Sequence, residues 1–232
     1  AVLGELYSQN ERAASGGSGA KLGDEYTLDA KDYVGGDGVL GAMTPDVTRM
    51  TNRDLAALVV SLSDNSATNV LIDRVGLDNV NAWLERLGLK ETRLRRHMMD
   101  VNAARSGRDN TATPRELVML LGALYAGRVF GKTTTDDFFK MLSMNKKSYI
   151  PRLLPPELTI ANKPGDLDGV RNDAGILRTK KGRFVIAVLT DGSTADPPNA
   201  TDHPSVLAIA DVAKAVVDTW NKDLPDIVDK PK

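Results

Sequence analysis

The sequence predicts an α+β fold: a mainly helical domain over residues 1–147, then an antiparallel sheet packed against a C-terminal helix over residues 148–232. Three observations carry this. Helical periodicities bounded by cap and stop signals run to about residue 144. After about residue 150 the pattern changes to β-rich runs separated by turn residues. A final apolar stripe, Val206, Leu207, Ile209, Ala210, Val212, Ala213, Val216 and Val217, has the spacing of one face of a long helix.

Taken in order, residues 2–14 have a helical pattern that stops at Ser15-Gly16-Gly17-Ser18-Gly19, a flexible Gly/Ser run. Residues 25–50 hold short extended pieces without a clear period. Thr51 opens a helix, with Asp54 three residues on as a weaker form of the capping box. Its body, Leu55 to Leu62, is nearly all apolar, which predicts burial. Further helices over about 66–75 and 78–87 close at Gly76 and Gly88. Residues 89–112 are basic, polar and irregular, and loops of that length are commonly functional. Within them Arg93, Arg95 and Arg96 read as a solvated or loop-pinning cluster, and Met98 and Met99 as anchors in the core. Thr113-Pro114-Arg115-Glu116 starts another helix, which ends near Gly127; one more spans about 135–144.

Strands are expected over 158–163, 170–178 and 183–190, with Lys180-Lys181-Gly182 as a hairpin turn. Asp196-Pro197-Pro198-Asn199 reads as a surface turn before the helix over 204–222. Phe184-Val185-Ile186-Ala187-Val188-Leu189 is apolar throughout, as in a strand buried on both faces and paired on both edges. Three strands in series give the last one a single partner, so further strands are expected from before residue 1.

Composition narrows the function. A chain of 232 residues with 41% hydrophobic residues can bury a sizeable core in one unit or two intimate subdomains. The 30 basic and 31 acidic residues leave a net charge of −1, which argues against nucleic acid or anionic membranes as partners. Two histidines and no cysteine exclude cysteine–zinc sites, disulfides and a thiol nucleophile. No apolar run is long enough to span a bilayer. His97 and His203 read as separate surface histidines.

Two stretches carry chemistry. Ser63-Asp64-Asn65 precedes an apolar helix. All three types are good N-caps, so capping is the plain alternative to a hydroxyl and an amide held at a site. Lys163-Pro164-Gly165 ends a strand, and Gly165 lets a backbone approach a ligand closely. Arg171 starts the next strand, which places its guanidinium near Lys163 across the hairpin. Such a pair can hold a carboxylate, and an unpaired strand edge can hold a substrate amide as an added strand. Arg171 equally fits a pairing with Asp173 or Asp168. The presence of Lys163 favours the site reading of Ser63.

Ser63-Asp64-Asn65, then a long irregular loop, then Lys163-Pro164-Gly165 resembles the second and third motifs of class A β-lactamases and penicillin-binding proteins. The flanks "NVLIDRVGLDNVNAWLERLGL", "TATPREL" and "GVRNDAG" resemble that family too, so the likeness covers nearly the whole chain. It implies a fold with an all-α domain beside a helix-covered antiparallel sheet. The implied activity is acyl-enzyme hydrolysis of β-lactam or peptidoglycan-like amides, without a cofactor, in the periplasm or outside the cell. It also implies roles. Ser63 relays a proton to the leaving nitrogen, Lys163 holds the substrate carboxylate and tunes Ser63, Asn65 binds the side-chain amide, and Arg171 assists with the carboxylate.

Three departures from the family pattern follow. The nucleophile motif Ser-x-x-Lys should precede Ser63, yet Ser18-Gly19-Ala20-Lys21 lies in a glycine loop and Ser143-Met144-Asn145-Lys146 comes after Ser63. Both read as chance, and the nucleophile is expected upstream of residue 1. In the long loop Asn102 matches the family's Asn, while Met98 stands where a water-activating Glu belongs; a thioether takes no proton. Pro164 replaces a Thr hydroxyl, removing a donor to the carboxylate at a cost of about 1 kcal/mol or more of recognition.

Overall fold

The computed structural model describes residues 1–194 and 202–223. The expected surface turn at Asp196–Asn199 lies outside them. The α+β composition read from the sequence is present: helices dominate the first part of the chain, and an antiparallel sheet follows. The chain divides into two compact units, one of residues 1–116 and 123–146, the other of residues 117–122 and 147–232.

The first unit opens with α1 (Val2–Ala14) and a small antiparallel pair, β1 (Glu25–Thr27) and β2 (Arg49–Thr51). α2 (Asn52–Leu62) starts with the expected capping box between Thr51 and Asp54. Its apolar body is only partly covered: Leu55, Ala56 and Val60 are buried, but Leu62 is 44% exposed. α3 (Asn65–Val75) is the central helix. Its Ala67, Val70, Leu71, Ile72 and Val75 are buried, and fully covering a Leu or Ile contributes about 1.5–3 kcal/mol. α4 (Leu77–Arg86) follows Gly76, whose φ of 85° suits a residue without a Cβ. The short α5 (Val101–Arg105) lies in the long loop; α6 (Pro114–Tyr125), whose residues 117–122 belong to the second unit, and α7 (Lys132–Leu142) follow. α7 begins three residues before its expected start, with Gly131 at its N-cap.

An aromatic cluster ties α1 to α7: the rings of Tyr7 and Phe138 meet edge to face at 5.2 Å. The Tyr7 hydroxyl donates to Asp137, which also receives a bidentate Arg53 at 2.6 and 2.7 Å. Gly4 is needed where α1 crosses α4, because a Cβ there would lie 2.2 Å from the Trp83 ring.

In the second unit β3 (Thr159–Leu167), β4 (Val170–Thr179) and β5 (Gly182–Thr190) form an antiparallel sheet in the order β3-β4-β5. Two-residue turns join them at Asp168-Gly169 and Lys180-Lys181. α8 (Pro204–Asp223) and the 3-10 turn Ile150–Leu153 cover one face. Their core holds Tyr149, Ile150, Leu177, Ile186, Val206, Ile209, Ala213 and Val217. On the other face Gly122 of α6 approaches Val185 of β5. Ile186 and Phe184 are buried, while Val185, Ala187, Val188 and Leu189 are only partly covered. Trp220 of α8 stacks on Phe184 at 4.7 Å.

Candidate active site

Ser63 occupies the junction between α2 and α3, with φ 54° and ψ 31°. This left-handed conformation costs a residue with a Cβ about 1–2 kcal/mol, and a glycine would adopt it without strain. The capping work falls to its neighbour. One carboxylate oxygen of Asp64 accepts the Ala67 N–H of α3 at 2.9 Å. The other accepts the Val39 and Leu40 N–H groups at 2.7 and 2.8 Å. Asp64 is 1% exposed, so these bonds compensate the burial of its charge. Ser63 is therefore not the N-cap of α3; it is a half-exposed hydroxyl at a strained turn.

The Asp64 bonds draw a glycine-rich loop against the motif. The Asn65 N–H donates to Asp37 O at 3.0 Å, and its amide nitrogen to Gly35 O at 3.1 Å. The Val34 N–H donates to the Ser66 hydroxyl at 2.9 Å. Side chains at two positions would block this approach: a Cβ at Gly38 would lie 2.3 Å from the Asp64 carboxylate, and one at Gly36 2.4 Å from the Asn65 amide.

The long loop is held by side chains that imitate a neighbouring strand. Glu116 accepts the N–H groups of Lys90, Glu91 and Thr92 at its start. Asn81 of α4 brackets Leu94, accepting its N–H and donating to its carbonyl. Asn69 of α3 does the same for Met98, at 2.7 and 3.1 Å. Arg96 and Asp109 pair at 2.7 Å, and Arg93 and Thr111 bridge as strand residues do. The expected loop-pinning role of the arginines is present, with Arg93 also donating to the Leu89 and Thr92 carbonyls. Burial raises the Glu116 pKa, but the adjacent Thr92 side chain and the backbone donors of Glu91, Thr92 and Lys90 outweigh it and hold the carboxyl at about 2.

Met98 is half-buried, but Met99 is not the expected core anchor: it is 47% exposed, with φ 65°. Asp100 caps α5 by accepting the Ala103 N–H, and Asn102 is exposed on that helix. His97 meets Asp73 at 2.8 Å.

Lys163 is not at a strand end. β3 continues through Lys163-Pro164-Gly165 to Leu167, and Lys163 faces Ala174 in register. Proline is tolerated because β3 is an edge strand among the described residues. The Lys163 ammonium donates to Pro164 O at 2.8 Å. Gly165 is exposed, and a Cβ there would meet no atom within 4 Å, so this part of β3 is open to approach.

Arg171 is not beside Lys163 across the hairpin. Its cross-strand partner is Asp166, three residues from Lys163, and strand alternation puts the two side chains on opposite faces. The Arg171 guanidinium is buried and donates to the Leu167 and Val170 carbonyls at 2.7 Å. It meets the Asp166 carboxylate at 3.9 Å. Sequence reading missed Tyr149 and Asn162 on the Arg171 face and took Asp173 only as an ion-pair partner of Arg171; all three are buried. Asn162 lies next to the motif lysine, and the Asp168-Gly169 turn signal could have extended β3 far enough to find them.

Two other serines are explained locally. The Ser143 hydroxyl donates to Phe139 O, and the Lys146 ammonium to Leu142 O. His203, expected at the surface, is buried. Its Nδ1 accepts the Ser205 N–H at 3.2 Å, so in the neutral ring Nε2 carries the proton and faces the Ser193 hydroxyl at 3.3 Å. A ring in that tautomer cannot serve as the base for Ser193.

A family model described as the beta-lactamase enzyme family matches residues 7–220, and the chain belongs to that family. A beta-lactamase of Streptomyces lavendulae is 32% identical over 168 residues, covering 69% of this chain and 54% of that protein. Beta-lactamase AST-1 of Nocardia asteroides is 32% identical over 177 residues, covering 74% and 56%. The chain thus spans little more than half the length of these relatives. The crystal structure of a beta-lactamase from Sphaerobacter thermophilus superposes with a TM-score of 0.82 at 30% identity, covering 97% of this chain and 82% of that one. PBP-A shares the fold, with a TM-score of 0.79 at 24% identity over 95% of this chain and 79% of that one.

Proposed function

We propose that the chain carries the proton-relay and carboxylate-binding parts of a serine hydrolase acting on β-lactam or peptidoglycan-like amides through an acyl-enzyme. Ser63 passes a proton to the leaving nitrogen. Lys163 holds the substrate carboxylate, and its charge favours the anionic character of the Ser63 oxygen during the relay. Asn65 binds the substrate's side-chain amide, and Gly165 and Asn102 line the substrate path. Arg171 could join Lys163 only if its guanidinium left the Leu167 and Val170 carbonyls and passed the edge of β3. No residue of this chain is assigned as the attacking nucleophile. Met98 supplies no base for deacylation, so turnover of an acyl-enzyme is weak or absent. Among the described residues no helix is long and apolar enough to cross a membrane, and the family relationship supports a periplasmic or secreted location.

The observation that carries this reading is the left-handed Ser63 beside a separate cap, Asp64. A serine kept where glycine would be unstrained is accounted for by a use for its hydroxyl. Met98 favours a second reading, a penicillin- or peptidoglycan-binding module without catalysis. A fluorescent penicillin tests both in the product of the complete reading frame. A stable adduct seen by mass supports acylation with little turnover, rapid hydrolysis contradicts the role given to Met98, and reversible binding without an adduct supports the module. Residues 1–232 alone are expected to form no adduct, and one mapped to Ser18 or Ser143 would refute their dismissal.

A further inference from the structure

Behind Lys163, on the opposite face of the sheet, lies a polar assembly that the proposed chemistry does not use. The Asn162 amide nitrogen donates to both carboxylate oxygens of Asp173, each at 2.9 Å. One of those oxygens also accepts the Tyr149 and Ile150 N–H groups at 2.9 Å. These are donors at the start of the 3-10 turn Ile150–Leu153, so Asp173 caps that turn from a different element. The Tyr149 hydroxyl continues to Asp166 at 2.6 Å. Asn162 and Asp173 are 2% and 1% exposed.

The pair is diagonal across the ladder: Asn162 faces Gly175, and Asp173 faces Pro164. Gly175 makes this possible, because a Cβ there would lie 2.4 Å from the Asn162 Cβ. Around Lys163, therefore, the backbone is tied down on both sides, through Asn162 before it and through the Pro164–Asp173 register after it. Pro164 offers no N–H to the sheet, which makes a side-chain tie at this point more valuable.

We infer that Asp173 is a positioning residue for Lys163: by holding Asn162 and the Tyr149–Ile150 turn together, it fixes the stretch of β3 from which the Lys163 ammonium projects. Its role in substrate recognition rests on the function proposed above, whereas the mechanical tie does not. Burial raises the Asp173 pKa, and the donors of Ile150, Tyr149 and Asn162 and the Lys163 charge oppose it, so lysine and aspartate also feel each other electrostatically.

Exchanging the two residues separates geometry from composition. Asp173→Asn keeps an oxygen for the Tyr149 and Ile150 N–H groups but turns an amide NH2 toward that of Asn162. The double variant Asn162→Asp/Asp173→Asn restores a donor–acceptor pair. In residues 1–232, amide exchange at Tyr149, Ile150, residues 159–163 and Gly165 is expected to quicken about tenfold or more in Asp173→Asn, with α1 to α4 unchanged, and to recover in the double variant. Unchanged exchange at those amides, or an equal increase throughout the chain, overturns the tie. Affinity for penicillin G and for its methyl ester then reads the effect on Lys163. Asp173→Asn is expected to weaken the acid about tenfold and leave the ester unchanged, and equal loss for both overturns positioning of the lysine. Lys163→Ala is the control: if it leaves penicillin G binding unaltered, the proposed carboxylate site fails, and the tie is still decided by exchange.

Discussion

The side-chain amide of Asn69 brackets the backbone of Met98, accepting its N–H at 2.7 Å and donating to its carbonyl at 3.1 Å. A helix in the core thus dictates where the middle of a 20-residue-scale irregular loop sits, and it does so by imitating a neighbouring strand. Replacing Asn69 by Leu removes both bonds while keeping the volume. The expected loss is about 1–3 kcal/mol of stability, with proteolytic nicking concentrated near Met98–Arg105. Denaturant unfolding and mapped limited proteolysis check both.

Because Asn69 fixes the Met98 backbone and not its side chain, residue 98 can be changed without dismantling the loop. Met98→Glu places a carboxylate where the proposed function finds no base. In the product of the complete reading frame, the penicillin adduct is expected to decay at least about tenfold faster, as befits a general base. Adduct lifetime by intact mass measures this; an unchanged lifetime would show that the side chain at 98 does not reach the acyl bond.

At Ser63 the proposed function is set against stability. Ser63→Gly relieves the left-handed strain and is expected to raise stability by up to about 1 kcal/mol while abolishing the proposed proton relay. Thermal unfolding and penicillin adduct formation, measured on the same variant, should move in opposite directions.

Glu116 links the loop to pH. Its folded pKa of about 2 lies below the ordinary 4.5, so the ionised form is favoured by folding. The resulting stability is fully present above the ordinary value and is lost as pH falls toward 2. Glu116→Gln should flatten that acid limb while leaving its own pH-independent cost. Urea midpoints across this range provide the check. Asp173 works in the opposite sense: its raised pKa favours the folded state as pH falls.

Gly4→Ala tests the α1–α4 crossing. The added methyl meets the Trp83 ring, and an expected cost of about 1–3 kcal/mol follows from overpacking. Gly23→Ala, where a Cβ meets nothing within 4 Å, is the neutral control.

Much of this architecture was legible in the sequence because it is written in local chemistry. The Thr51–Asp54 capping box, Gly76 and Gly88, Pro114 and the β-rich runs each act within a few residues. Contacts between distant residues were not legible. Asn69, Asn81 and Glu116 look like ordinary surface-type polar residues until the loop folds onto them. The face on which Arg171 lies depends on strand register, which was set by a turn at Asp168-Gly169 that the sequence reading passed over. His203 was misjudged because burial of a lone histidine depends on its cap contact with Ser205. Of the candidate site, the sequence names Ser63, Asn65 and Lys163 as candidates through their motifs. The division of labour between Ser63 and Asp64, and the tie behind Lys163, required coordinates.

The proposed function depends on Ser63 and Lys163 sharing one cleft. The chain has no cysteine, so Ser63→Cys/Lys163→Cys introduces a single thiol pair that a short bismaleimide, reaching about 8 Å, can join only if the two Cα atoms lie near each other. Rapid intramolecular cross-linking, mapped by peptide mass and absent in a Ser63→Cys/Lys180→Cys control, is the predicted result. No cross-link between positions 63 and 163, in a variant that remains folded, would contradict it.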